Sequence, residues 1–158
     1  PEYNDDGLCS ANCTSGFYTL SGSEKVCTTC DKNTQFISAD STEKPYQCLD
    51  TCPSKAFEDA ANGYRQCATI NDSRYYVKEQ TKTGNGDETY THYYSSCPDG
   101  HKFHDEGMFE CKANCGSKPY VQKSGDYVCV AQCGSQEYND KGKCSDTCES
   151  KTYRTEND

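Results

Sequence analysis

Fourteen cysteines are the residues of this chain whose type and spacing could do chemistry. Most of them stand in pairs separated by three residues, as in "CSANC", "CLDTC", "CKANC", "CVAQC" and "CSDTC". Closely spaced cysteines can form structural disulfides, bind zinc or act as a redox pair.

The composition favours structural disulfides. Leu, Ile, Val and Phe together number only 15 of 158 residues, Trp is absent, and the net charge is −9. Such a chain cannot bury an ordinary hydrophobic core, and chains of this kind commonly fold by cross-linking in oxidising compartments. We therefore expect an extracellular or cell-surface protein. Zinc remains the alternative, although zinc knuckles are usually small and basic and this chain is acidic.

The charge and hydropathy patterns exclude two partner classes. The acidic balance and the lack of a basic patch argue against nucleic acid. No apolar run approaches the roughly 18 residues that a membrane helix requires, so we expect no membrane segment.

The cysteine pairs form a repeat of boxes, each with a first and a second cysteine position. The boxes lie at 9/13, 27/30, 48/52, 67/71, 93/97, 111/115, 129/133 and 144/148. Two of these positions, which are consecutive along the repeat, hold Asn71 and Tyr93 instead of cysteine. Their joint replacement indicates that the two positions would otherwise bond to each other.

The segments between boxes have a common layout. An aromatic residue stands five or six positions after each second box position, a turn signal follows, and the next cysteine comes last. The stretches "YNDDGLC" and "YNDKGKC" carry the residues of a type I turn closed by a left-handed glycine. Strand-forming residues flank these turns. The fold class predicted is a small disulfide-rich all-β protein, an elongated tandem array of disulfide-closed β-hairpin modules, with the aromatic rings packed on neighbouring disulfides.

Three regions follow from the repeat. Residues 1–71 and 97–158 are predicted to be cysteine-rich hairpin modules, and residues 72–96 a long irregular hairpin that lacks its disulfide and has "TKTGNGDET" near its tip. Residues 1–13 align without gaps with residues 136–148, and no signal peptide or initiator Met is visible. We expect a slice of a longer repeat array, or one subunit of an end-to-end polymer.

Pairing the second cysteine of each box with the first of the next accounts for the joint replacement. The predicted bonds are Cys13–Cys27, Cys30–Cys48, Cys52–Cys67, Cys97–Cys111, Cys115–Cys129 and Cys133–Cys144. Under this scheme Cys9 and Cys148 bond outside the slice. A crosswise pairing of boxes leaves Cys52 and Cys111 without partners. Bonding within each box, with Cys67 joined to Cys97, pairs all cysteines but leaves the hairpins open.

Other candidate sites have a weaker basis. His101 and His104 lie near two cysteines and could complete a metal site, but a solvated hairpin is favoured. The stretch "CTTC" at 27–30 could be a redox motif, but it is more simply a shortened structural box. No EF-hand or catalytic constellation is present. We expect no enzyme activity, no cofactor and no bound metal.

Two glycosylation sequons are present, "NCT" at Asn12 and "NDS" at Asn71. The second is notable because the residue that replaces a cysteine is the one that would carry the sugar. Glycans are therefore among the expected partners.

The stretches "CLDTCPSKAFEDAANGYRQC" and "CKANCGSKPYVQKSGDYVCVAQCGSQEYNDKGKCSDTC" resemble tandem cysteine-rich repeats of the furin-like and growth-factor-receptor kind. They are more similar still to the cysteine-rich surface proteins of protists, such as the variant surface proteins of diplomonads. The resemblance implies extracellular display, a rod-like array and no catalysis, and it supplies no binding residues.

These observations predict a structural component of an extracellular filament, coat or stalk, which would associate with copies of itself or with neighbouring repeats end to end. The alternative is an adhesin or receptor ectodomain that binds a surface ligand or glycan through residues 72–96. A protease inhibitor is a third class, but no module carries a distinctive reactive loop.

The repeat predicts that Asn71 and Tyr93 lie close together, so the double variant Asn71→Cys, Tyr93→Cys should form a disulfide and stabilise the chain. Mass spectrometry after thiol alkylation measures the bond, and the two single variants are the controls. Free thiols at both positions in the double variant would contradict the assigned register.

Overall fold

The computed structural model describes residues 2–38 and 44–147, except for the side chains of Cys9 and Tyr138. It contains β-strands, and no helix occurs in these ranges. The expected class, a small disulfide-rich all-β protein, is confirmed. No helix that could cross a membrane is found in the described part of the chain.

The chain divides into two compact units, of which the first comprises Pro1–Asn71 and Lys78–Tyr94. Its strands form five consecutive pairs. They are β1 (Tyr3–Asp5) and β2 (Leu8–Ser10), β3 (Phe17–Ser21) and β4 (Glu24–Thr28), β5 (Phe36–Ile37) and β6 (Tyr46–Leu49), β7 (Ala56–Asp59) and β8 (Arg65–Cys67), and β9 (Tyr76–Thr83) and β10 (Gly86–Tyr93), with the start of β9 belonging to the second unit.

The second unit comprises Asp72–Val77 and Ser95–Asp158. Its strands are β11 (Phe103–Asp105), β12 (Tyr120–Lys123), β13 (Asp126–Cys129), β14 (Tyr138–Asp140) and β15 (Lys143–Ser145). An antiparallel bridge between Phe103 and Lys112 closes the hairpin that begins with β11.

One pairing rule builds both sheets. The second strand of each hairpin pairs antiparallel with its own first strand and parallel with the first strand of the preceding hairpin. The strand order in the first sheet is therefore β2-β1-β4-β3-β6-β5-β8-β7-β10-β9, and in the second it is β11-β13-β12-β15-β14. Each second strand is inserted between two first strands, so consecutive hairpins share backbone hydrogen bonds.

The hairpin turns differ from the expected type. Asp6 and Gly7 join β1 to β2 and both have positive φ, of 51° and 84°. Lys141 and Gly142 do the same between β14 and β15, with φ of 51° and 93°. The type I prediction is wrong because the two-residue loops are type I′ turns, whose twist matches that of the flanking strands.

Buried side chains gather around the disulfides. Phe36, Phe57 and Tyr90 form one cluster with Cys52 and Cys67, and all five are at most 5% exposed. Ile37 forms a second cluster with Cys30 and Cys48. Since Phe36 comes from the hairpin that precedes the Cys52–Cys67 bond, an aromatic ring packs on a neighbouring disulfide there, as expected.

The predicted middle region, residues 72–96, is shared between the two units. Its hairpin has eight residues in each of β9 and β10, more than any other strand in the described ranges. The connection between the strands is the pair Gly84 and Asn85, which lies within the predicted tip. A side chain at Gly84 would collide with Asp50, whose Oδ1 lies 2.6 Å from the position of a Cβ atom.

Candidate functional site

Six disulfides join the boxes. They are Cys13–Cys27, Cys30–Cys48, Cys52–Cys67, Cys97–Cys111, Cys115–Cys129 and Cys133–Cys144. Their Cα atoms lie 5.3 to 5.6 Å apart, the usual separation for a disulfide. These are the pairs of the box-to-box scheme and not those of the two rival schemes. The side chain of Cys9 is not described and Cys148 lies outside the described residues, so their expected bonds stay predictions.

The disulfides also bear on two other candidate sites, the redox motif at residues 27–30 and the metal site at His101 and His104. Cys27 and Cys30 bond to different boxes, so "CTTC" is not a redox pair. Cys97 and Cys111 bond to each other beside His101 and His104. Within the described ranges, no cluster of three or more His, Cys, Asp or Glu side chains could hold a metal ion.

Both sequon asparagines are exposed. Asn12 precedes the bonded Cys13, and the Thr14 hydroxyl of the same sequon donates a hydrogen bond of 2.8 Å to Asp5. The sequon at Asn71 lies just before β9. Glycosylation at Asn12 and Asn71 stays a prediction.

A tyrosine takes the place of the missing disulfide. The backbone N–H of Asn71 donates a hydrogen bond of 2.7 Å to the hydroxyl oxygen of Tyr93. Tyr93 is only 3% exposed. A hydrogen bond through the tyrosine side chain thus joins the two positions that lack cysteine, where other boxes have a covalent bond. That residues 71 and 93 lie close enough for a disulfide stays a prediction.

A second recurring arrangement spans three adjacent strands in the first unit. On β4, Lys25 lies between the rings of Tyr3 and Tyr18, with its Nζ 5.1 and 5.2 Å from their centroids. On β8, the Arg65 guanidinium lies over Phe36 and Phe57, 4.3 and 5.9 Å from their centroids. Burial lowers the pKa of Arg65. In each case a cation on the inserted strand covers two rings on the flanking strands.

The second unit repeats this arrangement with a ring in place of the cation. Tyr127 on β13 lies between Phe103 on β11 and Tyr120 on β12, with centroid distances of 5.2 and 5.5 Å. Lys25, Arg65 and Tyr127 all stand two residues before the first cysteine of a box. Sequence reasoning missed this position, although its fixed spacing from the cysteine is a signal that could have identified it.

Three half-buried rings in the second unit border a cavity of about 340 Å³, lined by Gly100, Lys102, Phe103, Ala113, Tyr120 and Tyr127. A second cavity, of about 290 Å³, shares Lys102, and a third, of about 180 Å³, shares Tyr120. The aromatic cavity therefore shares one lining residue with each of two polar cavities. This volume and lining are in the range of small-ligand sites.

A cluster of side chains surrounds His92, which lies on β10 in the first unit. The His92 ring stacks between Phe57 and Tyr94, with both centroid distances 4.1 Å. Its Nδ1 lies 3.0 Å from Glu79 Oε1 and 2.7 Å from the Tyr94 hydroxyl, and Nε2 lies 3.3 Å from Asp59. Burial, with the nearby carboxylates of Glu79 and Asp59, raises the pKa of Tyr94 to about 12. No sequence motif marked these residues.

Comparisons of the chain with protein-family models, with curated proteins and with solved structures find no match.

Removing the Tyr93 hydroxyl should lower the free energy of unfolding by about 1 kcal/mol, because the Tyr93→Phe variant loses one partly buried hydrogen bond. Urea unfolding of the oxidised protein measures the change. Tyr46→Phe is the matched control, since it removes a phenol hydroxyl from the same unit far from residue 71 in the sequence. Equal stability of Tyr93→Phe and the native chain would show that the hydrogen bond does not substitute for a disulfide.

Alkaline titration should show one tyrosine that ionises near pH 12, above the ordinary pKa of 10. The folded chain prefers the neutral phenol, so this contribution to stability is complete below pH 10 and is lost as the pH rises toward 12. Absorbance at the tyrosinate band measures the titration, and Tyr94→Phe should remove the late phase while Tyr46→Phe keeps it. A late phase that survives in Tyr94→Phe would contradict the assignment.

Proposed function

We propose that the chain is a non-enzymatic structural component of an extracellular filament, coat or stalk. The observation that carries the proposal is the shared strand pairing, in which each hairpin inserts its second strand beside the first strand of the preceding one. Proteins that add modules by nearest-neighbour contacts can be extended without redesign of a core. Such a design suits a load-bearing or covering role.

The disulfides support an extracellular location. Six bonds of this kind are typical of proteins that fold in an oxidising compartment. They also suit exposure outside the cell, because each bond restricts the unfolded chain that a protease would attack.

Copies of the chain, or neighbouring repeats, are the partners that the pairing rule favours. Among the described strands, β2 and β9 end the first strand order and β11 and β14 end the second. β9 and β11 make further bridges, Tyr76 to Glu110 and Phe103 to Lys112, whereas β2 and β14 each pair with one neighbour. By the pairing rule, a first strand such as β14 pairs with the second strand of the hairpin that follows it. A second strand such as β2 pairs with the first strand of the hairpin that precedes it. The same rule applied to cysteines would join Cys148 of one copy to Cys9 of another.

The second candidate function is an adhesin or receptor ectodomain. The aromatic cavity in the second unit favours it, because a purely structural module has no need of an open cavity beside half-buried rings. The residues concerned are outside the 72–96 region in which the sequence places the binding site.

Electron microscopy and non-reducing gel electrophoresis of the concentrated native protein test the structural role. We expect regular fibres and a ladder of covalent oligomers, both reduced in a Cys9→Ser, Cys148→Ser variant that keeps its β-sheet circular dichroism. The single variants Cys9→Ser and Cys148→Ser, which should permit dimers at most, are matched controls. A native protein that stays monomeric at every concentration, or oligomers that persist in the double variant, would overturn end-to-end assembly.

A further inference from the structure

The aromatic cavity of the second unit has the properties of a binding site for an uncharged ring. The rings of Phe103, Tyr120 and Tyr127 lie 5.1 to 5.5 Å apart and are only partly buried. Between them and Lys102 lies the cavity of about 340 Å³. Exposed aromatic faces in a concave site offer apolar area at a low cost in conformational entropy.

Two of the equivalent positions in the first unit hold a cation, and a third holds Tyr46, whose ring lies 5.8 Å from that of Phe17. Two aromatic rings from consecutive hairpins are covered there by Lys25 or Arg65 from the strand between them. In the second unit the residue at that position is Tyr127, and the cluster gains a third ring instead of a covering cation. The chain thus leaves apolar surface at a position where two other modules of the repeat place a cation.

Hydrogen-bond donors and acceptors line the two cavities that share a residue with the aromatic one. The cavity that shares Lys102 is also lined by Ser96, Ser124 and Asp126. The cavity that shares Tyr120 is also lined by Asp140, Lys141, Lys143 and Ser145. Both cavities therefore offer groups that donate hydrogen bonds and groups that accept them.

We propose that this row of cavities binds a neutral linear oligosaccharide, with one sugar ring on the aromatic cluster and its neighbours in the flanking cavities. A pyranose presents apolar C–H groups on its faces and hydroxyl groups around its edge, which matches rings at the centre and mixed polar groups at the rim. The site is independent of the structural role proposed above; it rests on the second candidate function, the adhesin or receptor ectodomain, and names the class of its ligand.

Charge separates this ligand from the alternatives. The Lys102 ammonium borders the aromatic centre and disfavours a cationic ligand there. Its ion pair with Asp99, at 2.7 Å, offsets this positive charge. Asp126 lines the cavity that shares Lys102, and Asp140 lines the cavity that shares Tyr120 together with Lys141 and Lys143, so the charges around the aromatic centre are mixed and balanced. A neutral ligand rich in hydroxyl groups meets no like charge and can use both donors and acceptors.

The test uses the oxidised native chain and a panel of trisaccharides: cellotriose, maltotriose and triacetylchitotriose as neutral probes, and sialyllactose as an acidic one. Saturation-transfer NMR detects binding, and titration calorimetry measures affinity. The informative variant is Tyr127→Lys, because the repeat itself uses lysine at the equivalent Lys25 and the fold accepts it there. Tyr127→Phe keeps the ring and is the matched control.

We expect at least one neutral trisaccharide to bind, with affinity at least tenfold weaker in Tyr127→Lys and within about threefold of native in Tyr127→Phe, where only one hydrogen bond is at risk. Ligand-induced shifts of the Phe103, Tyr120 and Tyr127 ring resonances in the native protein locate the site without a variant. The proposal is overturned by no neutral binding, by preference for sialyllactose, by undiminished binding in Tyr127→Lys, or by shifts confined to other residues.

Discussion

The disulfide between consecutive boxes is the interaction on which the rest of the structure depends. Each bond closes a loop whose cysteines are 11 to 18 positions apart. In the chain-entropy model such a bond contributes about 3 kcal/mol. The buried clusters are too small to replace it, since the main one has five residues and two of these are the bonded cysteines themselves.

The insertion of each second strand between two first strands links consecutive disulfide-closed hairpins into a repeat. Because a second strand lies between two first strands, the residue two positions before its cysteine can meet an aromatic ring from each of them, as it does in three modules. Lys25, Arg65 and Tyr127 show that the position accepts a cation or a ring. The scaffold fixes where this side chain stands, while its chemistry can change from module to module, so a structural array can acquire a binding site by substitution at one position.

The sequence predicts the hairpins, the box register and the six bond partners, because these depend on spacing along the chain. It does not predict the parallel pairing between hairpins, which depends on contacts across modules. The turn type was missed because Asp6 and Lys141 adopt a left-handed conformation that the residue types permit but do not require. The sequence also does not predict the aromatic cavity or the side-chain cluster around His92, because each combines side chains from different strands.

The hairpin of β9 and β10 shows how the fold compensates for a missing bond. One hydrogen bond from Asn71 to Tyr93 is worth about 1 kcal/mol, well below a disulfide. The difference is offset by packing: the strands are the longest of those that the structure describes, and Tyr90 is 1% exposed among Phe36, Phe57 and the Cys52–Cys67 bond. The Tyr90 hydroxyl also accepts a hydrogen bond from the backbone of Cys52. Where the repeat lacks its covalent bond, the hairpin is therefore held by the disulfide of the neighbouring module and by the rings that cover it.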